Sequence, residues 1–170
     1  MSIIQTERLT LRPMVAEDVD AMLTIFTDPA VMASFGIPPY SRQQMEEWVQ
    51  RNLEHQTKYG YGLFSVILKS NGQLIGDCGL EQMEAEGNKF VELGYDFHSS
   101  YWHHGYATEA ATAVRDYSFN ELNLTKLSSI IRTSNEPSKR VAERVGMSLL
   151  FEFTRFGNIK YWFYGMEKAI

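Results

Sequence analysis

Apolar positions recur along the chain with two periods, and the switches between them divide it into elements. Glu7 to Pro13 alternates, with Leu9 and Leu11 on one side and Arg8, Thr10 and Arg12 on the other, which predicts a strand closed by Pro13. Ala16 to Thr27 changes to helical spacing, with Val19, Met22, Leu23 and Phe26 on one face, and Asp28-Pro29 ends that helix. Phe35 to Tyr40, carrying Gly36, Pro38 and Pro39, reads as a loop. Ser41-x-x-Gln44 is a capping box, and a helix runs from it towards Lys58. Tyr61 to Lys69 and Gln73 to Leu80 are strands around an Asn71-Gly72 turn. A connection over Met83 to Asn88 leads to a strand from Lys89 to Phe97. A helix follows from about Gly105 to Glu121, with Ala107, Ala110, Ala111, Val114 and Tyr117 on one face. A strand over Lys126 to Thr133 and a short helix from about Glu136 to Val145 come next. Phe151 to Phe156 and Lys160 to Glu167 read as a closing hairpin around Gly157-Asn158. The order β-α-α-β-β-β-α-β-α-β-β predicts an α+β fold with a mixed, mostly antiparallel sheet flanked by helices.

Composition narrows what such a chain does. Its 170 residues suit one domain, 1–170, with a single core; 44% hydrophobic and 22% charged residues are those of a soluble globular protein. Nothing near 18 consecutive apolar residues appears, so no membrane span is expected. Met1 to Arg12 lacks a signal pattern, and the one cysteine, Cys78, fits a reducing cytoplasm. A formal net charge of −5 argues against a nucleic-acid binder. The histidines and Cys78 show no metal-ligand spacing, so no metal is expected.

The most informative stretch is Tyr101-Trp102-His103-His104-Gly105-Tyr106-Ala107-Thr108-Glu109-Ala110, between a strand and a helix. Small residues let a ligand approach the backbone, and the first N–H groups of a helix are unpaired and lie at its positive end. Such a turn suits a phosphate or pyrophosphate. On Gly105 alone, a plain strand-to-helix turn that binds nothing is the better reading, and neither G-x-G-x-x-G nor the P-loop string is present. The longer string resembles the pyrophosphate-binding motif Q/R-x-x-G-x-G/A of the GNAT N-acetyltransferases, in the RimJ/RimL-like (ribosomal-protein acetyltransferase-like) branch. Gly105 and Ala107 match its last fixed positions, and Trp102 stands where Gln or Arg is usual. The N-terminal "TERLTLRPM" and "DPAVM" strings resemble the same branch, so the likeness covers essentially the whole chain. In that family the first two helices form part of the acceptor wall.

The resemblance implies acetyl-coenzyme A as acyl donor, held by Tyr95, Phe97, His103, His104, Gly105, Tyr106, Ala107, Thr108, Asn135 and Ser138. Asn135 with Ser138, then Gly146-Met147, matches the family's N-x-x-S string, whose Asn touches the pantetheine arm. From the residues alone, Asn135 is equally an N-cap, Pro137 a first-turn proline and Gly146 a C-cap. Lys139, Arg140 and Arg144 suit an adenosine 3′-phosphate or a solvated face. Many members carry a Tyr acid four residues before that Gly, and here the position is Ala142. Ser138 is then the hydroxyl left to assist the leaving thiolate.

An ammonium has no lone pair, so amide formation needs a base, and a splayed strand edge supplies an N–H donor for the oxyanion. Glu92, on the strand just before that splay as the family builds it, is the candidate base; a solvent-facing strand Glu is the other reading. Glu109 reads as structural, and Cys78 as a core residue rather than a nucleophile. Asp77, Glu81, Glu84, Glu86, Glu92 and Asp96 face only Lys89 in their stretch, which either steers a cationic amine or protects a hairpin. Phe35 to Tyr40, Trp48, Tyr59 and Tyr61 either line an acceptor cavity or belong to the core. The expectation is an N-acetyltransferase working by direct transfer in a ternary complex onto a small-molecule or peptide amine. The rival is a coenzyme A-binding sensor or scaffold. No nucleic-acid or membrane partner is expected, and a homodimer is common in the family.

Overall fold

The computed structural model describes residues 1–85 and 88–169. A short strand β1 (Ile4–Gln5) precedes β2 (Leu9–Pro13). The expected strand starts two residues late because Thr6 turns the chain, its hydroxyl bonding the Leu9 backbone. The helix expected over Ala16 to Thr27 is divided. A 3-10 turn, Ala16–Asp18, leads into α1 (Val19–Ile25). Asp28-Pro29 then starts a further helix, α2 (Pro29–Phe35), as well as ending the first. Asp28 Oδ1 accepts from the Ala30 and Val31 N–H groups, and Pro29 sits in the first turn, where its missing N–H costs nothing. Gly36, at φ 66°, closes α2 in the left-handed region. The capping box at Ser41 and Gln44 opens α3 (Arg42–Tyr59) as expected.

β3 (Leu63–Leu68), β4 (Leu74–Ala85) and β5 (Asn88–Phe97) form an antiparallel meander. β4 outruns the expected Leu80, so most of the supposed connection Met83 to Asn88 is ladder, with Glu84 opposite Lys89. Glu86, part of the acidic stretch, lies outside the described residues. A 3-10 turn at Ser99–Tyr101 leads to α4 (Tyr106–Asn120), then β6 (Lys126–Arg132) and α5 (Glu136–Val145). The closing hairpin is β7 (Ser148–Arg155) and β8 (Ile159–Glu167), β7 starting three residues before expectation, straight after the Gly146 cap.

The strands make one 8-stranded sheet in the order β1-β2-β3-β4-β5-β6-β8-β7. All neighbours are antiparallel except β5 and β6. One face packs Leu11, Phe64, Ile75, Leu80 and Leu93 against Ala110, Ala111 and Val114 of α4 and Val145 of α5. The other carries Leu63 against Met22, Ile25, Val31, Met45 and Val49 of α1 to α3. Asp18 ties the second layer to the sheet. Its carboxylate takes Arg12 in two bonds of 2.8 and 2.6 Å and accepts from Ser65 Oγ at 2.6 Å.

Candidate active site

β5 and β6 run parallel, yet among the described residues they register only at Glu92↔Ser128. Ser129 Oγ donates to the Leu93 carbonyl at 2.6 Å, so Leu93 presents its backbone to the β6 side. Backbone polarity alternates along a strand, so Tyr95 and Phe97 present theirs to that side too. Beyond Glu92 the strands diverge, and this edge of β5 faces a cleft. The Glu92 carboxyl marks its apex: Oε1 accepts from the Ile130 N–H at 3.1 Å, replacing the bond a paired strand would make. Burial, with Glu81 and Asp96 adding to it, pushes the Glu92 carboxyl up to about 7, although the Ile130 bond and Arg155 work the other way.

At the open end of the cleft stands the start of α4. Gly105, at φ 82°, takes the left-handed conformation, which an L side chain adopts only with strain. The first N–H groups of α4 therefore face outward behind an exposed His103-His104-Gly105 turn. That turn is clamped by Arg8, a residue that sequence reading left on the polar side of a strand. Its Nη1 donates to the His104 carbonyl at 2.9 Å, its guanidinium lies 4.5 Å over the Tyr106 ring, and its Nε donates to Glu109 at 2.7 Å. Glu109 also accepts from the Thr6 hydroxyl at 2.6 Å and the Arg8 N–H at 2.9 Å, which makes it structural as expected. Trp102, in place of Gln or Arg, donates from Nε1 to the Phe97 carbonyl at 2.7 Å and straps β5 to the turn. His104 Nδ1 lies 2.7 Å from the Trp102 carbonyl oxygen, and Thr108 is half-buried in the first turn.

α5 flanks the cleft. Asn135 is an N-cap, its Oδ1 accepting from the Ser138 N–H at 3.2 Å; its amide nitrogen is not engaged by that bond. Tyr95 Oη donates to the Ser138 carbonyl at 2.9 Å, and Ser138 Oγ approaches Tyr95 Oη at 3.4 Å. Tyr95 and Ser138 are thus together, whereas Glu92, an odd number of strand positions away from Tyr95, points to the opposite face. Phe97 is buried in the core beneath α4, leaving only its backbone to the cleft. Ala142 is 1% exposed and sits in that same core, so no protic group comes from its position. Lys139 leans over the Trp162 ring at 4.9 Å and meets Glu136 at 3.4 Å.

On the face covered by α1 to α3, a cavity of about 190 Å³ opens beside the apex. Phe26, Phe35, Tyr40 and Trp48 form one wall; Asp77, Glu81, Gly94 and Asp96 form the other. Register explains the acid wall: Asp77↔Asp96, Gly79↔Gly94 and Glu81↔Glu92 are opposite pairs on one face of β4 and β5. A Cβ at Gly94 would meet nothing within 4 Å, so the glycine leaves the floor open. Burial, with Glu81 adding to it, pushes Asp96 up to about 7, and burial with Asp96 and Glu81 pushes Asp77 up as well. The acidic stretch is therefore divided: Asp77, Glu81, Glu92 and Asp96 share the cavity face, while Glu84 is exposed. Trp48 lines the cavity as one reading expected. Tyr59 and Tyr61 do not; they stack on each other at 6.0 Å and pack against His55. Cys78 is fully buried on the opposite face, its thiol pushed up by burial, which leaves no thiolate to act.

Residues 8–148 match the model of the acetyltransferase (GNAT) domain. The chain is 37% identical over 144 residues to the uncharacterized protein YkkB of Bacillus subtilis (strain 168), covering 84% of this chain and 83% of that one. It is 33% identical over 139 residues to the uncharacterized N-acetyltransferase p20 of Bacillus licheniformis, covering 81% and 78%. Its structure resembles that of the acetyltransferase from Agrobacterium tumefaciens str. C58, with a TM-score of 0.83 at 30% identity over 99% of this chain and 95% of the other.

Proposed function

The chain belongs to the GNAT acetyltransferases, and on that premise we propose that it moves an acetyl group from acetyl-coenzyme A to a primary amine by direct transfer in a ternary complex. The observation that carries this is the cleft between β5 and β6, with the N-terminus of α4 at its open end and a carboxyl-lined cavity beside its apex. The match over residues 8–148 and the continuous sheet support taking residues 1–170 as one acetyltransferase domain. Within that family, the "TERLTLRPM" and "DPAVM" strings favour the RimJ/RimL-like branch.

The donor's fit is tested on the cleft itself. A pantetheine amide finds the backbone of Tyr95 and Phe97, and the amide nitrogen of Asn135 is free of its capping bond. A pyrophosphate finds the N–H groups of about His103 to Thr108, with the helix dipole and the clamped Gly105 turn in support. Acetyl-coenzyme A supplies an activated acyl carbon.

Glu92 takes the proton that the incoming ammonium must lose, directly or through water. A carboxyl near 7 is matched to that task, being ionised in a good fraction of molecules yet basic enough to accept. The nitrogen lone pair then forms the C–N bond as the C–S bond breaks, and the second N–H proton, made acidic by C–N bond formation, passes to the departing thiolate, giving amide and free thiol. Charge developing on the carbonyl oxygen meets the unpaired N–H groups of the β5 edge. The departing thiolate, of parent pKa about 8.5, leaves without a dedicated acid, with the Ser138 and Tyr95 hydroxyls as the nearby protic groups. Release of free thiol from acetyl-coenzyme A across an amine panel, with product mass read in parallel, tests the proposal. Binding of coenzyme A with no amine-dependent thiol release would instead establish the sensor reading, which the buried Ala142 favours.

A further inference from the structure

The cavity beside Glu92 has two unlike walls, and the acidic one is not explained by folding. The aromatic wall is tight: Phe35, Tyr40 and Trp48 lie 5.9, 5.2 and 5.0 Å from Phe26 between ring centroids. Opposite it stands Asp77, 1% exposed, with no partner on either carboxyl oxygen. Asp96 is directly across the ladder from it, at a Cβ separation of roughly 4.5–5.5 Å. A buried carboxyl without a partner destabilises a fold, and a second carboxyl facing it across the ladder adds repulsion when both ionise. Among the described residues no ion pair reaches Asp77, Glu81, Glu92 or Asp96. Arg51 acts on Glu81 and Arg155 on Glu92, while Arg132 turns its Nη1 to the Phe35 carbonyl. Among the described residues no cation acts on the Asp77–Asp96 pair. Among the described residues no three acids, histidines or cysteines are placed to hold a metal ion.

An organic cation meets these demands, and the transfer chemistry fixes how many charges it carries. The nitrogen that is acetylated attacks as a neutral amine. It gives up its charge at Glu92 and cannot then neutralise Asp77 and Asp96. A second ammonium that stays protonated can. Methylenes between the two nitrogens pack on the aromatic wall, whose faces also attract the retained cation. The cavity, about 190 Å³, lies below the usual ~300–1,000 Å³ of ligand pockets and suits a small aliphatic body.

Resting on the transfer reading above, we infer that the acceptor is a small aliphatic diamine or polyamine, its unreacted ammonium held between Asp77 and Asp96. Thiol release with 1,4-diaminobutane, a linear triamine, butylamine and a short peptide with a free α-amine tests this. The kcat/KM for 1,4-diaminobutane should exceed that for butylamine by about 30- to 1,000-fold, the factor expected for one partner of a close charge pair. Asp77→Asn, and Asp96→Asn as an independent variant, should bring that ratio towards one. Gly94→Ala, whose methyl enters the cavity, should weaken every acceptor while keeping the ratio. Calorimetry of 1,4-diaminobutane binding to the protein with coenzyme A, run in buffers of different ionisation enthalpy, should show net proton release, because the pair must ionise to hold the cation. Equal or better turnover of butylamine or the peptide overturns the inference, as does a ratio that Asp77→Asn and Asp96→Asn leave unchanged. If no amine releases thiol yet 1,4-diaminobutane binds with proton release that Asp77→Asn abolishes, the dication site stands and acetyl transfer fails.

Discussion

Replacing Glu92 by Gln should push activity and stability in opposite directions. Gln keeps an Oε1 acceptor for the Ile130 N–H, so the apex of the cleft retains its bond. What it loses is the proton acceptor. A positioned base contributes about 10²–10⁴-fold, so kcat should fall by that order with coenzyme A affinity unchanged. The wild-type kcat should rise with pH through about 7, and this limb should vanish in the variant. Stability follows from the same carboxyl. Its folded pKa of about 7 stands above the ordinary 4.5, so the native state binds more protons than the unfolded one between these values. The native state is therefore favoured below about 4.5, and that advantage is lost as pH rises through about 7. The penalty above pH 7 is of order 3 kcal/mol, at about 1.4 kcal/mol per pH unit. Glu92→Gln removes it, so urea unfolding at pH 8 should show a variant more stable by up to about 3 kcal/mol, the gain shrinking to nothing near pH 4. A variant that is less active and also less stable at pH 8 would refute the reasoning, because the carboxylate would then be holding the sheet rather than serving as base.

Gly105→Ala should lose coenzyme A affinity through its φ of 82°, which costs a side chain about 1–2 kcal/mol, and through the exposed turn it distorts; calorimetry on a folded variant checks this. Asn135→Ala removes both the cap and the amide nitrogen: a fall in thermal stability equal in apo and coenzyme A-bound protein marks a cap alone, while a loss of about 1–3 kcal/mol in binding is the expected result. Asp18 has its carboxyl lowered overall: burial pushes it up, but hydrogen bonds from Arg12, Ser65 and Val15 outweigh that. Its stabilisation is present above about 3.8 and is lost as pH falls through the lower folded value, so the difference between wild type and Asp18→Asn in urea midpoints should shrink on acidification below pH 4.

Long elements with one clean period were legible: α3 from its capping box, α4 from its alanine face, and the strands that flank them. α2 was not, because seven residues give less than two turns of periodicity and its opening Asp28-Pro29 also serves to stop the helix before it. The extension of β4 past Leu80 was hidden by Glu81, Gln82 and Glu84, polar residues that break the apolar pattern. In the candidate site, the positions of Gly105 and Glu92 at the helix start and on β5 were visible because backbone conformation and strand position leave local marks. Arg8 left none: its partner Glu109 is 101 residues away, a distance that only the finished fold spans. The acids of β4 and β5 were each visible at i, i+4 spacing on one strand. Their pairing across the ladder depends on register, and their burial depends on α1 to α3 lying over that face.

The single point of register between β5 and β6 among the described residues has a dynamic consequence. It divides the ladder into a block from β1 to β5 and a block from β6 to β8, joined at Glu92↔Ser128. Backbone amides in each block should exchange with deuterium as separate cooperative groups, with the Ile130 amide, held by a side chain at the seam, reporting on the joint. A molecule that fills the cleft would bond to the seam from the β5 side and pack on α5 from the other. Occupancy should therefore slow exchange in both blocks at once and merge two opening events into one.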